Sequence, residues 1–221
     1  MPVQPSSDAL LVHALVNTLD RRTFMRRRQP SRTGPEESLG TPRALRGWLE
    51  QHNLLPPHAQ LDEADLGRVL DLRTALRAAF DRGRPIGSSP VEYAVPLRLS
   101  IGAPAGPRLT PTGPGIDQAI GEICAAALRI ALTGEWGRLR VCAATDCRWV
   151  FYDRSKPGRG RYCAPDTCGN RAKTRDYRRR KAADEPRRRR PFSGERIGGS
   201  LARAAPAADN DNGDSGRTTG N

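Results

Sequence analysis

The residues best suited to chemistry in this chain are its cysteines. Cys142 and Cys147 enclose Ala-Ala-Thr-Asp, Cys163 and Cys168 enclose Ala-Pro-Asp-Thr, and fifteen residues separate the two pairs. A pair with this spacing closes a short loop that can bring two sulfurs onto one ion. Two such pairs supply the four thiolates of a tetrahedral Zn²⁺ site. Disulfides would need an oxidising compartment. Residues 1–25 do not read as a secretory signal, because Pro2, Pro5, Asp8, His13 and Asp20 interrupt them. Five cysteines is also an odd number, and the two-residue spacing usual in a redox dithiol does not occur. A site of four cysteines has no open coordination position, so its metal holds a fold and does not activate water. In small zinc peptides that binding is worth about 10–16 kcal/mol, and it serves as folding energy. The fifth cysteine, Cys124, shares a helical face with Ile120, Ala127, Leu128 and Ala131. It reads as an inert core residue.

No second chemistry is visible. His13, His52 and His58 are scattered, and no serine triad order, phosphate loop or His-Glu zinc signature occurs. Each histidine reads as structural, and the chain does not read as an enzyme.

Beyond Cys168 the chain is strongly basic. The sequence runs Gly169-Asn170-Arg171-Ala-Lys173-Thr-Arg175-Asp-Tyr177-Arg178-Arg179-Arg180-Lys181, and Pro186 is expected to stop the helix. The whole chain carries 37 Lys+Arg against 24 Asp+Glu, a net charge of +13, of which residues 136–190 hold +12. A codon bias toward arginine would explain Arg over Lys, but not this placement. The asymmetry is the footprint of a polyanionic partner. An anionic membrane surface fits less well, since the basic helix lacks a bulky apolar face, and no apolar run is long enough to span a bilayer. Gly169, Asn170, Arg171, Lys173, Arg175, Arg178 and Arg179 are the candidate nucleic-acid contacts. Arg171, Arg175 and Arg178 recur at helical spacing on one face. Gly169 would let the backbone turn out of the metal knuckle or approach a phosphate, and Asn170 would cap the helix or touch a base. Arg187–Arg190 would add affinity without specificity.

Elements must hold these groups in place. Leu139–Cys142 and Trp149–Tyr152 read as two short strands, with Trp149, Phe151 and Tyr162 as an apolar cap over the metal. Pro157, Gly158 and Gly160 supply turns between them. Upstream, Asp8–Asp20 reads as a helix capped by Ser7, with Leu10, Leu11, Ala14, Leu15 and Leu19 on one side. Residues 21–40 read as a polar loop whose Arg26–Arg28 run is a solvated face. Thr41-Pro42 opens a helix ending near Asn53. Asp62, with Asp65 in the capping-box place, opens another that runs to about Asp81 and buries Leu66, Val69, Leu70, Arg73, Leu76 and Phe80. Leu97–Ile101 and Arg108–Thr112 read as a hairpin. Ile116–Leu132 reads as the last helix, closed by Gly134.

The reading is therefore α+β. A mainly helical domain with a small β-hairpin (8–134) precedes a small zinc finger of two strands and a basic helix (136–182). A disordered tail (183–221) comes last.

The pattern Cys-x4-Cys, then Trp149-Val150-Phe151-Tyr152-Asp153-Arg154-Ser155, then Cys-x4-Cys closed by Cys168-Gly169-Asn170-Arg171, resembles the CGNR zinc-finger family of bacterial transcription regulators. The front part is similar to the helical, stress-regulator-like domain that usually precedes such fingers. Val16-Asn17-Thr18-Leu19-Asp20, Thr41-Pro42…Leu45…Trp48-Leu49 and the helix around Arg73–Phe80 carry that similarity. Ala14 stands where relatives commonly have an aspartate. The resemblance implies one structural zinc and a finger that binds double-stranded DNA. It also implies a front domain that senses a small-molecule effector or forms a homodimer, and a cytoplasmic, nucleoid-associated protein. The same charge would equally suit a zinc-stabilised RNA-binding or ribosome-associated protein, because phosphate contacts are common to both.

Overall fold

The computed structural model describes residues 3–22, 35–56, 59–83, 92–104 and 106–188, the last five of these by their backbone alone. The Arg26–Arg28 run, His58, the side chains of Arg187–Arg190 and the tail beyond residue 188 lie outside the described residues. The chain to Arg180 is one compact unit, and Lys181 onward forms a second.

Helix α1 spans Ser7–Val16, and Ser6, not Ser7, is its N-cap, accepting from the Ala9 amide. The helix expected to reach Asp20 stops four residues early. Local side chains take over its last carbonyls: Asn17 Nδ2 donates to His13 O at 3.1 Å and Thr18 Oγ1 to Leu15 O at 2.8 Å. Leu19–Asp20 (β1) then pairs antiparallel with Glu36–Glu37 (β2), a strand pair inside what reads in the sequence as a helix end and a loop. Thr41 caps α2 (Pro42–Gln51) and Asp62 caps α3 (Glu63–Ala79), the latter with the full capping box to Asp65. Strands β3 (Leu97–Gly102) and β4 (Gly106–Pro111) form the expected hairpin, with Leu99 opposite Leu109. Helix α4 covers Ile116–Leu132, and Gly134 comes after it at φ +77°, the left-handed position that favours glycine.

The core is built where α1 packs on α4 and α3, with α2 against α3. Val12, Leu15 and Val16 of α1 meet Leu45 and Leu49, Val69 and Leu76, and Ile120, Ile123 and Ile130 there, all buried. The buried stripe of α4 runs through Ile116, Ala119, Ile120, Ile123, Ala126 and Ile130. Cys124 sits at its margin and is half-buried, while Leu128 is exposed. Periodicity alone places that stripe one position off, because apolar residues surround α4 on nearly every side. Burial pushes the Cys124 thiol up, as suits an unreactive one.

Charged groups are also buried, among them Asp20, Arg73 and Asp153. Arg73 of α3 is buried, makes two 2.7 Å bonds to the Glu37 carboxylate and donates to Thr18 Oγ1 at 3.0 Å. The two terminal nitrogens are taken up in this way, which offsets most of the cost of burying the charge, while Nε is buried and has no partner among the described residues.

Candidate metal centre and nucleic-acid interface

Strands β5 (Leu139–Val141) and β6 (Val150–Tyr152) pair antiparallel, Val141 opposite Val150. They carry the first knuckle between them. Cys142 N donates to Trp149 O at 2.8 Å, closing its base. Arg148 takes φ +52°, which turns the chain sharply behind Cys147. The second knuckle is a turn of π-helix over Pro165–Gly169, running without a break into α5 (Asn170–Arg188).

The four sulfurs of Cys142, Cys147, Cys163 and Cys168 converge within 4.8 Å of one another. Cys147–Cys163 and Cys163–Cys168 are each 3.7 Å apart. A tetrahedral zinc with ~2.3 Å bonds to sulfur requires edges of about 3.8 Å, so the donor set fits that ion. Burial first, then the neighbouring Cys163, push the Cys168 thiol up to about 12. Cys147 is raised as well, chiefly by its contacts with Cys142 and Cys163. Four thiolates this close repel one another, and a dication reverses that balance by taking a lone pair from each. Phe151, Trp149 and Tyr162 pack on this cluster as expected. Trp149 does more: Arg22 lies 4.1 Å over its ring, and His13 meets it edge-on at 6.2 Å.

Asp153, in the middle of the finger, organises the long loop between the knuckles. It is buried, accepts from Ser155 N at 3.0 Å and Gly160 N at 2.5 Å, and faces Arg140 at 3.5 Å. Burial works against its charge, but these donors hold the carboxyl below the usual range. One side chain thus ties both ends of that loop.

Helix α5 rises from the second knuckle. Ala172 is its buried contact, while Lys173, Arg175, Arg178 and Arg179 are exposed. A groove of about 710 Å³ runs beside it, lined by Asp146, Asp166, Asn170, Arg171, Arg175 and Arg178. Asp146, from the first knuckle, pairs with Arg171, and Arg175 Nη1 lies 3.3 Å from its Oδ2.

Two family models match this chain. The ABATE domain (putative stress-induced transcription regulator) matches residues 10–135, and the CGNR zinc finger matches residues 138–181. The chain belongs to the ABATE family. It carries a CGNR zinc finger with one structural zinc at the four clustered cysteines. No curated protein matches the chain. Among the described residues no helix is long and apolar enough to cross a membrane.

The geometry revises several readings of the CGNR segment. Gly169 is buried and has an ordinary φ; a Cβ there would meet only Ala164 O at 3.7 Å and Tyr162 at 4.0 Å. It makes no sharp turn, and it lies at the floor of an open cleft beside Tyr162, Ala172 and Lys173. Asn170 is not a cap but the first residue of α5, its amide donating to Asp166 O at 3.1 Å. The π turn ahead of it already supplies the helix start. Pro186 does not stop α5 but lies in its last turn, where the lack of an N–H removes one backbone hydrogen bond.

Sequence reasoning missed the groups joining the ABATE domain to the finger. Asn17 Oδ1 accepts from Val150 N at 3.0 Å and its Nδ2 donates to Val150 O at 2.8 Å. The side chain thereby extends the β6 edge like a third strand. Arg77 of α3 donates to Val16 O, and at 2.7 Å to Arg148 O. Leu139 and Val150 belong to the same buried cluster as α1–α4. The Asn-Thr pair, Asn17-Thr18, was visible as a family feature; its partner, 133 residues on, was not.

Proposed function

We propose that this ABATE–CGNR chain is a DNA-binding transcription regulator whose recognition surface is the exposed face of α5. The observation that carries the reading is the junction at Cys168. A metal-fixed knuckle passes directly into a helix carrying Arg171, Lys173, Arg175, Arg178 and Arg179, all but Arg171 exposed. Rigid anchoring removes much of the entropy cost of presenting cations in register, and a helix of this width enters a major groove. Arginine grips phosphate bidentately or reads guanine N7 and O6. In this reading residues 10–135 form the sensing and assembly part, open to a small-molecule effector or a second copy. The finger is the output, and the protein works in the cytoplasm at the nucleoid.

A second reading rests on Tyr177, which is 61% exposed within the basic helix and would stack on an unpaired base. Binding of the full chain to matched double-stranded DNA, double-stranded RNA and single-stranded RNA across a salt series separates the two. The DNA reading expects the tightest binding to the DNA duplex. Arg175→Ala with Arg178→Ala should then lower the salt slope by roughly one to two units, about 0.9 per lost phosphate contact. Preference for single-stranded RNA that Tyr177→Ala abolishes would replace it with the second reading.

A further inference from the structure

A small cavity of about 140 Å³ lies where the helical part meets the first knuckle. Its walls are Leu19 and Arg21 beside β1, Thr74, Arg77, Ala78 and Asp81 of α3, and Val141 and Arg148 of the finger. Three arginines face one carboxylate there. That carboxylate, Asp81, already pairs with Arg148. Among the described residues Arg77 donates to the backbone carbonyls of Val16, Leu19 and Arg148, and the Asp20 carboxylate acts on it only through space. Carbonyl dipoles satisfy its hydrogens but do not cancel its charge.

Arg77 is thus a half-buried cation in a cationic setting. Burial first, then the charges of Arg21, Arg73 and Arg148, bring its pKa down to about 10, with the Asp20 carboxylate offsetting only part of the effect. Guanidinium does not give up its proton at neutral pH, so the repulsion persists in the folded protein.

We propose that this cavity binds a small multivalent oxyanion, a phosphate or a short dicarboxylate, between Arg21, Arg77 and Arg148. The volume admits such an ion and little more. Its charge would neutralise the excess of cations, and fork-shaped guanidinium donors suit tetrahedral and carboxylate oxygens. Leu19, Val141 and Ala78 complete an apolar wall that strengthens the pairing by excluding water. Because α3 and the knuckle both contribute, the ion would bridge the ABATE domain and the finger. Such an ion would be the effector of the regulator argued above, and that role rests on the regulator reading. Its binding is tested without nucleic acid, so either can fail alone.

The experiment is calorimetric titration of the zinc-loaded full chain with inorganic phosphate and, separately, with malonate, at ionic strength fixed by sodium chloride. Thermal melting runs in parallel. Saturable binding of at least one oxyanion, with a melting point raised by several degrees over the chloride control, is expected. Arg21→Ala, at an exposed position, should weaken binding about tenfold, and Arg21→Ala with Arg148→Gln should abolish it, both with zinc content unchanged. Arg77 is left intact because its carbonyl bonds hold the fold. Equal effects of phosphate, malonate and chloride would overturn the proposal as simple screening. Undiminished binding in the double variant would overturn it by moving the anion to α5. Should the double variant not fold, the single variant decides.

Discussion

Asp146 is the residue on which the basic surface turns. It sits between Cys142 and Cys147 and holds Arg171 and Arg175 of α5. Both arginines are candidates for phosphate contact, so a nucleic acid must compete with this carboxylate. A surface pair of this kind is worth under about 1 kcal/mol, enough to shape affinity without preventing binding. Asp146→Asn should therefore raise nucleic-acid affinity severalfold at low salt and leave zinc content unchanged. Weaker binding would instead give Asp146 a positioning role. Gly169 makes the opposite prediction. With only ordinary contacts awaiting a Cβ, Gly169→Ala should retain one equivalent of zinc by elemental analysis and melt within about 2 °C of the parent, since a helical glycine gains up to ~1 kcal/mol on becoming alanine. The four metal-ligating cysteines were legible because their spacing is local. Asp146 was not, because its partners are reached only after the second knuckle folds back.

Among the elements, the clasp from the end of α1 to β6 governs how the two parts share stability. The Asn17 side chain makes three hydrogen bonds, two to Val150 and one to His13 O. Asn17→Ala strands those backbone groups, and at ~1 kcal/mol each should cost about 2–4 kcal/mol in urea unfolding. Asn17→Asp should recover little, as a carboxylate cannot donate to Val150 O. His13, beside the same strand, is depressed below its ordinary pKa, first by burial. Its unfolded form binds the proton more readily, so stability is complete above about pH 6.5 and is lost as pH falls below it. His13→Asn should flatten the melting-point slope between pH 7 and 5.5, with bound zinc monitored throughout. Local signals mark several boundaries in sequence and structure alike: Thr41 and Asp62 at the starts of α2 and α3, and Gly134 just past the end of α4. The strand pair β1–β2 escaped notice because two-residue strands carry no period, and α1 ended early through side-chain bonds that hydrophobic spacing does not encode.

At the level of the whole molecule, the metal is not confined to a separable module. Val150 is buried with the helices and also opens the strand that ends beside Asp153. Zinc removal by a strong chelator, or Cys163→Ser, should abolish the α5 contribution to circular dichroism. Helices α1–α4 should persist with a melting point lowered by several degrees, because β5 and β6 lose their tether while their apolar contacts remain. An unchanged melting point would mean that the shared core does not feel the metal. The two family matches cover residues 10–135 and 138–181, one on the helical part and one on the finger. Packing does not respect that division, since long-range contact is a property of the fold that no window of residues contains.

The Asn17–Val150 bonds also set a timetable for the nascent chain. At about 5–20 residues per second on the ribosome, the 133 residues between them take roughly 7 to 27 seconds to make. Through that interval Asn17 has its local bond to His13 O within reach but neither of its bonds to Val150, and part of the apolar face of α1 is uncovered. The N-terminal helices are thus left waiting during translation for a strand that arrives with the metal ligands, and the supply of zinc to the emerging cysteines becomes a step in the maturation of the first helix.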